Sequence, residues 1–484
     1  MLVFSLKLSI YAMASIGFAA LLCRKFFFTQ IGYRVLFIWL AMIPFVFIVR
    51  NQLLILFAAF LLTFYASRKL APSLAICFAI AVLPAVPDWF KYAISAPGIN
   101  NITTLYFWKI VYIVVFIPLF LKAFSENKIK TNAADIGFIA LVAFFTIMSF
   151  RDNNFTSVLR IFFNNMFIYI IPYFAISRSL KSEMDYRHVL LGFLFLSLIL
   201  ASIFLVSQLL KTDFYIEFNP HGGWLNRLIE YRHGLLRLSG PLNGVLVGYL
   251  MAAGFLAFFL LNQYTKLSLV YKVLIVAIFT LAIFSGGSRG ALFSVLMIFA
   301  IYLYFGYLKG ITRTAALFVG IFLVIIVQVF DLGALLSYED EHGTFDYRSE
   351  LYKTSFAYIQ YYPLFGNPGY VDSGFFDHLY TGLGIIDIVS EYLAVMLMFG
   401  FVGLVLYCFP FLAIVVPLTK KIIVDKAMPE LQMKYSVVFW GLLVGYLFVI
   451  ATTSTVSLVE NYGVIILAIC RSLLAANVHS FRVA

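Results

Sequence analysis

The sequence predicts an all-α integral membrane protein, a polytopic bundle of about 12 to 15 transmembrane helices with one large outer loop that carries an amphipathic helix. Three observations predict it. Apolar runs long enough to cross a hydrocarbon layer recur along nearly all 484 residues. Only 12% of residues are charged and 63% are hydrophobic, with a mean hydropathy of +0.99, so water is not the main solvent. The short alternating strands of a membrane barrel are absent from the pattern.

The candidate spans are 2–22, 33–49, 51–66, 70–86, 104–122, 135–150, 160–178, 188–210, 243–262, 269–285, 290–307, 312–330, 389–418, 433–453 and 457–474. Residues 1–22 could serve as a signal peptide, but Lys7 interrupts the run and no small-residue cleavage site follows, so the segment reads as a retained helix. Pro44, Pro84, Pro118, Pro172 and Pro410 fall in or near spans and mark kinks or half-helices. The runs group into N-terminal helices at 1–210, an outer loop at 211–242, helices at 243–330, the large loop at 331–388 and C-terminal helices at 389–484.

The net charge of +12 could suggest a nucleic-acid binder, but Lys and Arg sit in short clusters between apolar runs, which is topological charge; no nucleic-acid partner is expected. One alternating set of loops holds Arg24, Lys25 and Arg34; Arg68 and Lys69; Lys128 and Lys130; Arg178, Lys181 and Arg187; Lys266 and Lys272; Lys309 and Arg313; and Lys420, Lys421, Lys426 and Lys434. Short basic loops stay in the cytoplasm. Residues 87–103, 211–242, 286–289 and 331–388 then face outward. Cys23, Cys77, Cys408 and Cys470 lie in or beside apolar runs with no CxxC pair and predict neither disulfide nor metal site.

Three features meet on the outer side. Ser285-Gly286-Gly287-Ser288-Arg289-Gly290 is a small-residue turn with an arginine at the lipid boundary, where a phosphate headgroup would lie; guanidinium binds phosphate oxygens bidentately. A snorkelling arginine is the plainer reading of Arg289 alone. The large loop holds Tyr338-Glu339-Asp340-Glu341-His342, then Arg348 and the stripe Leu351, Ser355, Tyr358 and Ile359, consistent with a helix lying on the membrane surface. Pro363-Leu364-Phe365-Gly366-Asn367-Pro368-Gly369 breaks that helix. A loop this long is usually functional, although a passive cap with Arg348 paired to a local carboxylate fits as well. The third feature, Glu230 to Asn243, gathers Arg232, His233 and Arg237 before the next span, which suits a polyanion or a sugar as well as interfacial anchoring. Trp89, Trp224, Tyr361 and Tyr370 could stack on sugars or form an aromatic belt.

Soluble-enzyme motifs are nearly absent: there is no HExxH, Walker A or DxD. Gly286-Gly287-Ser288-Arg289-Gly290 spells GxSxG, but a nucleophile elbow needs a strand before it, and here two spans flank it. No metal site and no cofactor are expected, and the chemistry left over is that of an already activated lipid-linked donor.

In order, SGGSRGA at 285–291, the loop with Arg348 and PLFGNPG, and a helix ending in Gly400-Phe401-Val402-Gly403 resemble the O-antigen ligase and polymerase superfamily, integral membrane glycosyltransferases. Arg237 to Gly240 with Pro241 to Asn243 resembles the segment that family places before an earlier span. The resemblance covers roughly 230–405. It implies a glycosyltransferase C-like fold, a bacterial inner-membrane location with the active site facing the periplasm, and undecaprenyl-diphosphate-linked oligosaccharides as donor and acceptor. Membrane lipids and a chain-length regulator protein are the other implied partners. The family's two essential arginines fall on Arg289 and Arg348, which would hold the diphosphate and stabilise charge as the sugar-phosphate bond breaks. Ser288, Gly290, Arg232, Arg237 and Tyr352 are the expected substrate-binding neighbours, with PLFGNPG closing over Arg289. Ligases of the family carry a His-Asn pair where this chain has Val389 and Ser390, which favours a polymerase, with His378 or Asp387 as base. Ligation to lipid A-core or a protein acceptor is the alternative. A flippase should show charges deep in its spans and symmetric halves, and this pattern is weak here.

Overall fold

The computed structural model describes the chain except residues 1, 50, 97–98, 127–130, 216–230, 233, 239, 266, 307, 309–311, 313–343, 381–383, 426–427, 454–457, 477–480 and 482–484. It is an all-α polytopic membrane bundle. Its helices are α1 (Leu2–Leu22), α2 (Gln30–Val49), α3 (Gln52–Ser67), α4 (Pro72–Val82), α5 (Phe107–Ser125), α6 (Ala133–Ser149), α7 (Phe155–Ser179) and α8 (Glu183–Leu210). There follow α9 (Gly244–Thr265), α10 (Leu269–Ser285), α11 (Arg289–Gly306), α12 (Thr344–Ile359), α13 (Glu391–Val424), α14 (Glu430–Thr452) and α15 (Val459–Ala475). Every candidate span contains a helix except 312–330, all of which but Thr312 lies outside the described residues, as do the loop stretch 331–343 and Trp224. Eight of the described helices are long and apolar enough to cross a membrane, and several shorter apolar ones pack among them.

Polar residues in the short turns start the helices. Thr29, Asn51, Asn132, Asn154 and Ser182 each accept a hydrogen bond from an N–H of the first turn, and Asn132 with Asp135 and Ser182 with Asp185 close reciprocal capping boxes. Prolines account for irregular turns. Wide π turns at Phe45–Val49, Tyr112–Phe116 and Met166–Ile170 lie beside Pro44, Pro118 and Pro172. Pro118 and Pro172 lack the N–H and crowd the carbonyl four residues back, inside the preceding π turn, where one extra residue relieves both; at Pro44 the π turn follows the proline. Pro84 lies just past the end of α4, whereas α13 runs straight through Pro410.

Helix α8 forms the centre of the bundle, with four-fifths of its apolar window buried. Small residues let backbones approach there: a Cβ at Gly192 would meet the Cys77 carbonyl oxygen at 2.7 Å, and Ser197 Oγ donates to the Leu250 carbonyl at 2.7 Å. Two short hairpins interrupt the all-helical pattern. Strands β1 (Lys91–Ala96) and β2 (Ile99–Tyr106) pair antiparallel in the predicted outer loop, and β3 (Tyr231–Arg232) pairs with β4 (Leu235–Leu236). The alternating, β-branched run on either side of Pro97-Gly98 favours the first hairpin, so the span expected at 104 begins three residues later, at Phe107.

The basic loops gather at one end. Lys25 Nζ donates to the Thr265 carbonyl at 2.9 Å, Arg34 Nη1 to those of Ala66 and Arg68 at 2.7 and 2.9 Å, and Lys421 Nζ to that of Leu473 at 3.0 Å. Arg178 pairs with buried Asp135 at 2.5 Å, and the Arg187 guanidinium lies 4.0 Å from the Tyr264 ring centre. Lys128, Lys130, Lys266, Lys309, Arg313 and Lys426 lie outside the described residues. Helix α9 carries Thr265 at this end and Gly244, which touches the SRG turn, at the other; its 22 residues separate the two by about 33 Å. The SRG turn and the basic loops therefore occupy opposite ends.

The described part of the large loop has a small core of its own, in which Leu351, Tyr358, Phe376, Leu379, Val389 and Leu393 are buried. The stripe on α12 is present, but its function differs from the expectation. Leu351, Ser355 and Tyr358 are covered by the loop and the start of α13 and do not lie on a membrane surface.

Candidate active site

The SRG turn is held from behind. Gln208, at the end of α8, donates through Nε2 to the Leu236 carbonyl at 2.5 Å and to Ser285 Oγ at 3.0 Å, while its Oε1 accepts from Leu236 N–H at 3.1 Å. Leu238 N–H donates to the Ser285 carbonyl at 2.8 Å. The β3–β4 hairpin is thereby joined to the ends of α8 and α10. Gly286 and Gly244 meet backbone to backbone, since a Cβ on Gly244 would lie 2.7 Å from the Gly286 carbonyl oxygen. Gly287 has φ +60°, and a Cβ there would meet Arg237 Cγ at 2.9 Å, so the Arg237 stem lies across the turn.

Ser288 caps α11: its Oγ accepts from Ala291 N–H at 3.4 Å and its carbonyl from Leu292 N–H at 3.1 Å. Helices flank it on both sides, as expected of a turn that is not a nucleophile elbow. Arg289 is the first residue of α11, where the first-turn N–H groups and the positive end of the helix dipole lie. Gly290 is pressed against the end of α14, where a Cβ would stand 2.7 Å from Thr452 Oγ1.

Thr452 also brings in the large loop. Arg348, in the second turn of α12, donates from Nη2 to the Thr452 carbonyl at 3.5 Å, a long bond to the negative end of α14. Its Nε is buried and has no hydrogen-bond partner among the described residues. Among the described residues no carboxylate lies within ion-pair distance of Arg348; Glu339, Asp340 and Glu341 of the same loop lie outside them. A buried guanidinium nitrogen without an acceptor is costly unless a ligand oxygen supplies one.

The other expected residues are spread along α12. Tyr347 Oη donates to the Asp387 carbonyl at 3.1 Å and accepts from Asp387 N–H at 2.9 Å, so the exposed Asp387 sits beside the residue that precedes Arg348. His378 Nε2 lies 3.2 Å from Thr354 Oγ1 and 3.8 Å from Glu350 Oε1, and Thr354 is six residues, or about 9 Å, along the helix from Arg348. Tyr352 stacks on Phe356 at 6.3 Å, one turn after Arg348. Arg232 lies in β3, and His233 lies outside the described residues.

PLFGNPG docks on α13, not over Arg289. Gly400 (φ +67°, ψ −166°) opens α13, so this helix does not end at Gly400-Phe401-Val402-Gly403 but continues beyond it to Val424. Phe401 and Val402 N–H donate to the Pro363 and Leu364 carbonyls at 2.8 and 3.1 Å, and Asn367 N–H donates to that of Leu397 at 2.8 Å. A Cβ on Gly366 would lie 2.5 Å from the Leu397 carbonyl oxygen, so only glycine fits the seam. Arg151, after α6, clamps it, with Nη1 donating to the Phe365 and Gly366 carbonyls at 2.8 and 3.0 Å and Nη2 to that of Met398 at 2.8 Å.

Gln208, Thr452 and Arg151 were missed by the sequence reading. The one signal in reach was the run Ala451-Thr452-Thr453-Ser454-Thr455 at the outer end of an apolar span, with more hydroxyls than lipid contact requires. Residues 274–408 match a family model described as O-antigen ligase, an interval that contains the SRG turn, Arg348 and the PLFG seam. No curated protein gives a significant match.

Proposed function

We propose that this chain, whose residues 274–408 match a family model described as O-antigen ligase, polymerises lipid-linked oligosaccharide repeat units into a surface polysaccharide. The donor in this reading is an undecaprenyl-diphosphate glycan at the outer face of the inner membrane. The observation that carries the reading is the junction at Thr452, where Gly290 of the SRG turn and Arg348 of the loop meet and Arg348 keeps a buried Nε without a partner among the described residues.

The donor diphosphate lies between Arg289 and Arg348, with the first-turn N–H groups of α11 adding to the positive potential. The acceptor hydroxyl attacks the anomeric carbon. Its oxygen-carbon bond forms as the bond to phosphate oxygen breaks, and the electron pair leaves with undecaprenyl diphosphate, so the anomeric centre inverts. The developing charge falls on phosphate oxygens, where two arginine charges provide a metal-independent stabilisation. The hydroxyl proton passes to Asp387, which the Tyr347 contact holds at the Arg348 end of α12, in preference to His378 farther along it. Arg237 and Tyr352 line the approach of the sugars.

Arg289→Ala and Arg348→Ala, each made in cells that depend on this protein, are expected to abolish long-chain polymer while the protein still reaches the membrane. The loss in rate is on the order of 10² to 10³. Normal chain length in either variant refutes the assigned roles. The description of the matched family favours a second reading, ligation. A reconstituted assay separates the two, because single-unit transfer without chain growth selects a ligase.

A further inference from the structure

At the basic end of the bundle, opposite the SRG turn, α2 and α3 leave an open cleft of about 460 Å³. Three cations, Arg34, Arg68 and Lys69, line it. Arg34 is fixed in place: its Nη1 donates to the Ala66 and Arg68 carbonyls at the C-terminal end of α3, which neutralises the negative end of that helix and holds the guanidinium at the cleft. Only Nη1 is used, and Nε and Nη2 have no partner among the described residues. Lys69 takes a left-handed backbone (φ 60°) that turns the chain sharply after Arg68, and both side chains are exposed. Among the described residues, no carboxylate lies within ion-pair distance of any of the three.

The remaining wall is aromatic. Tyr33, Phe37 and Tyr65 line the same cleft and are 55, 44 and 72% exposed on the flank of an apolar bundle. Three unpaired cations call for an anion, and a free phosphate ion would leave the three aromatic rings uncovered. A molecule with a phosphate at one end and hydrocarbon at the other satisfies both. Its phosphate would meet the unused guanidinium N–H groups in the fork geometry that arginine offers. The volume falls within the range of small-ligand sites, about 300 to 1,000 Å³. We propose that this cleft binds the phosphate headgroup of an anionic glycerophospholipid in the leaflet at the basic end of the bundle, a site separate from that of the glycan donor.

The test uses the full-length protein purified in neutral detergent and titrated with phosphatidylglycerol or phosphatidylcholine, with bound lipid read by native mass spectrometry. Wild type is expected to retain one phosphatidylglycerol through wash steps that remove phosphatidylcholine. Arg68→Gln/Lys69→Gln alters only exposed side chains and so keeps the fold. It is expected to weaken that retention about 30-fold, the effect of removing two interfacial cations. Arg34→Gln is expected to weaken it as well. Equal retention of both lipids by wild type, or unchanged retention in the double variant, overturns the proposal. Millimolar inorganic phosphate that displaces the lipid from wild type and binds the cleft equally well in its absence also overturns it, in favour of a soluble anion.

Discussion

The junction at Thr452 makes a prediction that separates geometry from chemistry. Gly290→Ala adds a methyl carbon 2.7 Å from Thr452 Oγ1 and 3.4 Å from Thr452 Cβ, so the first contact must open and the second is ordinary packing. Overpacking of this kind costs about 1 to 3 kcal/mol. If the strain is relieved by moving α11 away from α14, the SRG turn leaves Arg348, and transfer slows by roughly 5- to 150-fold. Thr452→Ala removes the offending oxygen. Among the described residues that hydroxyl bonds back only to carbonyls of its own helix, Phe448 at 3.4 Å and Val449 at 3.1 Å, and the backbone carbonyl that Arg348 uses remains. Thr452→Ala alone is therefore expected to cost about 1 kcal/mol or less. Gly290→Ala/Thr452→Ala is expected to recover most of the lost rate, leaving a coupling of 0.5 kcal/mol or more, as contacting residues give. The assay is transfer from lipid-linked oligosaccharide in proteoliposomes, normalised to the amount of reconstituted protein. A Gly290→Ala enzyme with full activity refutes the junction, as does a double variant no faster than Gly290→Ala.

Asp387→Asn is expected to remove most activity at every pH while leaving donor binding intact, whereas His378→Ala retains a measurable rate; the reverse pattern in the same proteoliposome assay assigns the base to His378. Arg151→Ala breaks three charge-assisted bonds to the PLFG seam, each of which contributes about 1.5 to 3 kcal/mol, and is expected to lower the midpoint of thermal unfolding and expose the loop to protease. Asp135→Asn leaves Arg178 without its buried partner and is expected to destabilise the bundle by about 3 to 5 kcal/mol, read as loss of monodisperse protein on extraction. Exhaustive chelation with EDTA is expected to leave the rate of transfer unchanged, because the phosphate charge is met by guanidinium groups; restoration of a lost rate by added magnesium or manganese refutes that reading.

Much of the fold was legible because lipid leaves the backbone a single solution. A long apolar run must satisfy its own N–H and C=O groups, so runs became helices, and their basic flanks gathered at one end. Thr29, Asn51, Asn132 and Ser182 stand where first turns need an acceptor, a signal that a reading by apolar runs did not use. The site was legible only in part. Ser288 and Arg289 stand out as polar residues at a span end, and Arg348 as a cation in the long loop. Gln208, Arg151 and Thr452 act on or through main-chain groups, which every residue carries and which no side-chain pattern marks. For the same reason Gly400 read as the end of a helix. It is a gap in one, filled by the backbone of a segment more than thirty residues earlier in the chain.

Those main-chain contacts divide the site into two supported halves. The SRG turn is tied to α8 and α9 through Gln208 and Gly244, and the Arg348 loop is tied to α13 and α6 through the PLFG seam and Arg151. At Thr452 the halves meet unequally. Gly290 is packed as tightly as a glycine allows, whereas Arg348 reaches its carbonyl acceptor only at 3.5 Å and leaves Nε buried without one. A 3.5 Å bond contributes little, and the unpartnered nitrogen opposes it. The loop half is thus held firmly at its far edge and weakly at the edge that meets Thr452. A diphosphate that supplies an acceptor to Arg348 stabilises the junction by the bond it completes, so donor binding and closure of the junction reinforce each other. Proteoliposomes loaded with undecaprenyl diphosphate are therefore expected to protect the α12 amides from hydrogen exchange in wild type but not in Arg348→Ala. Equal protection in both would mean that the loop closes without its arginine.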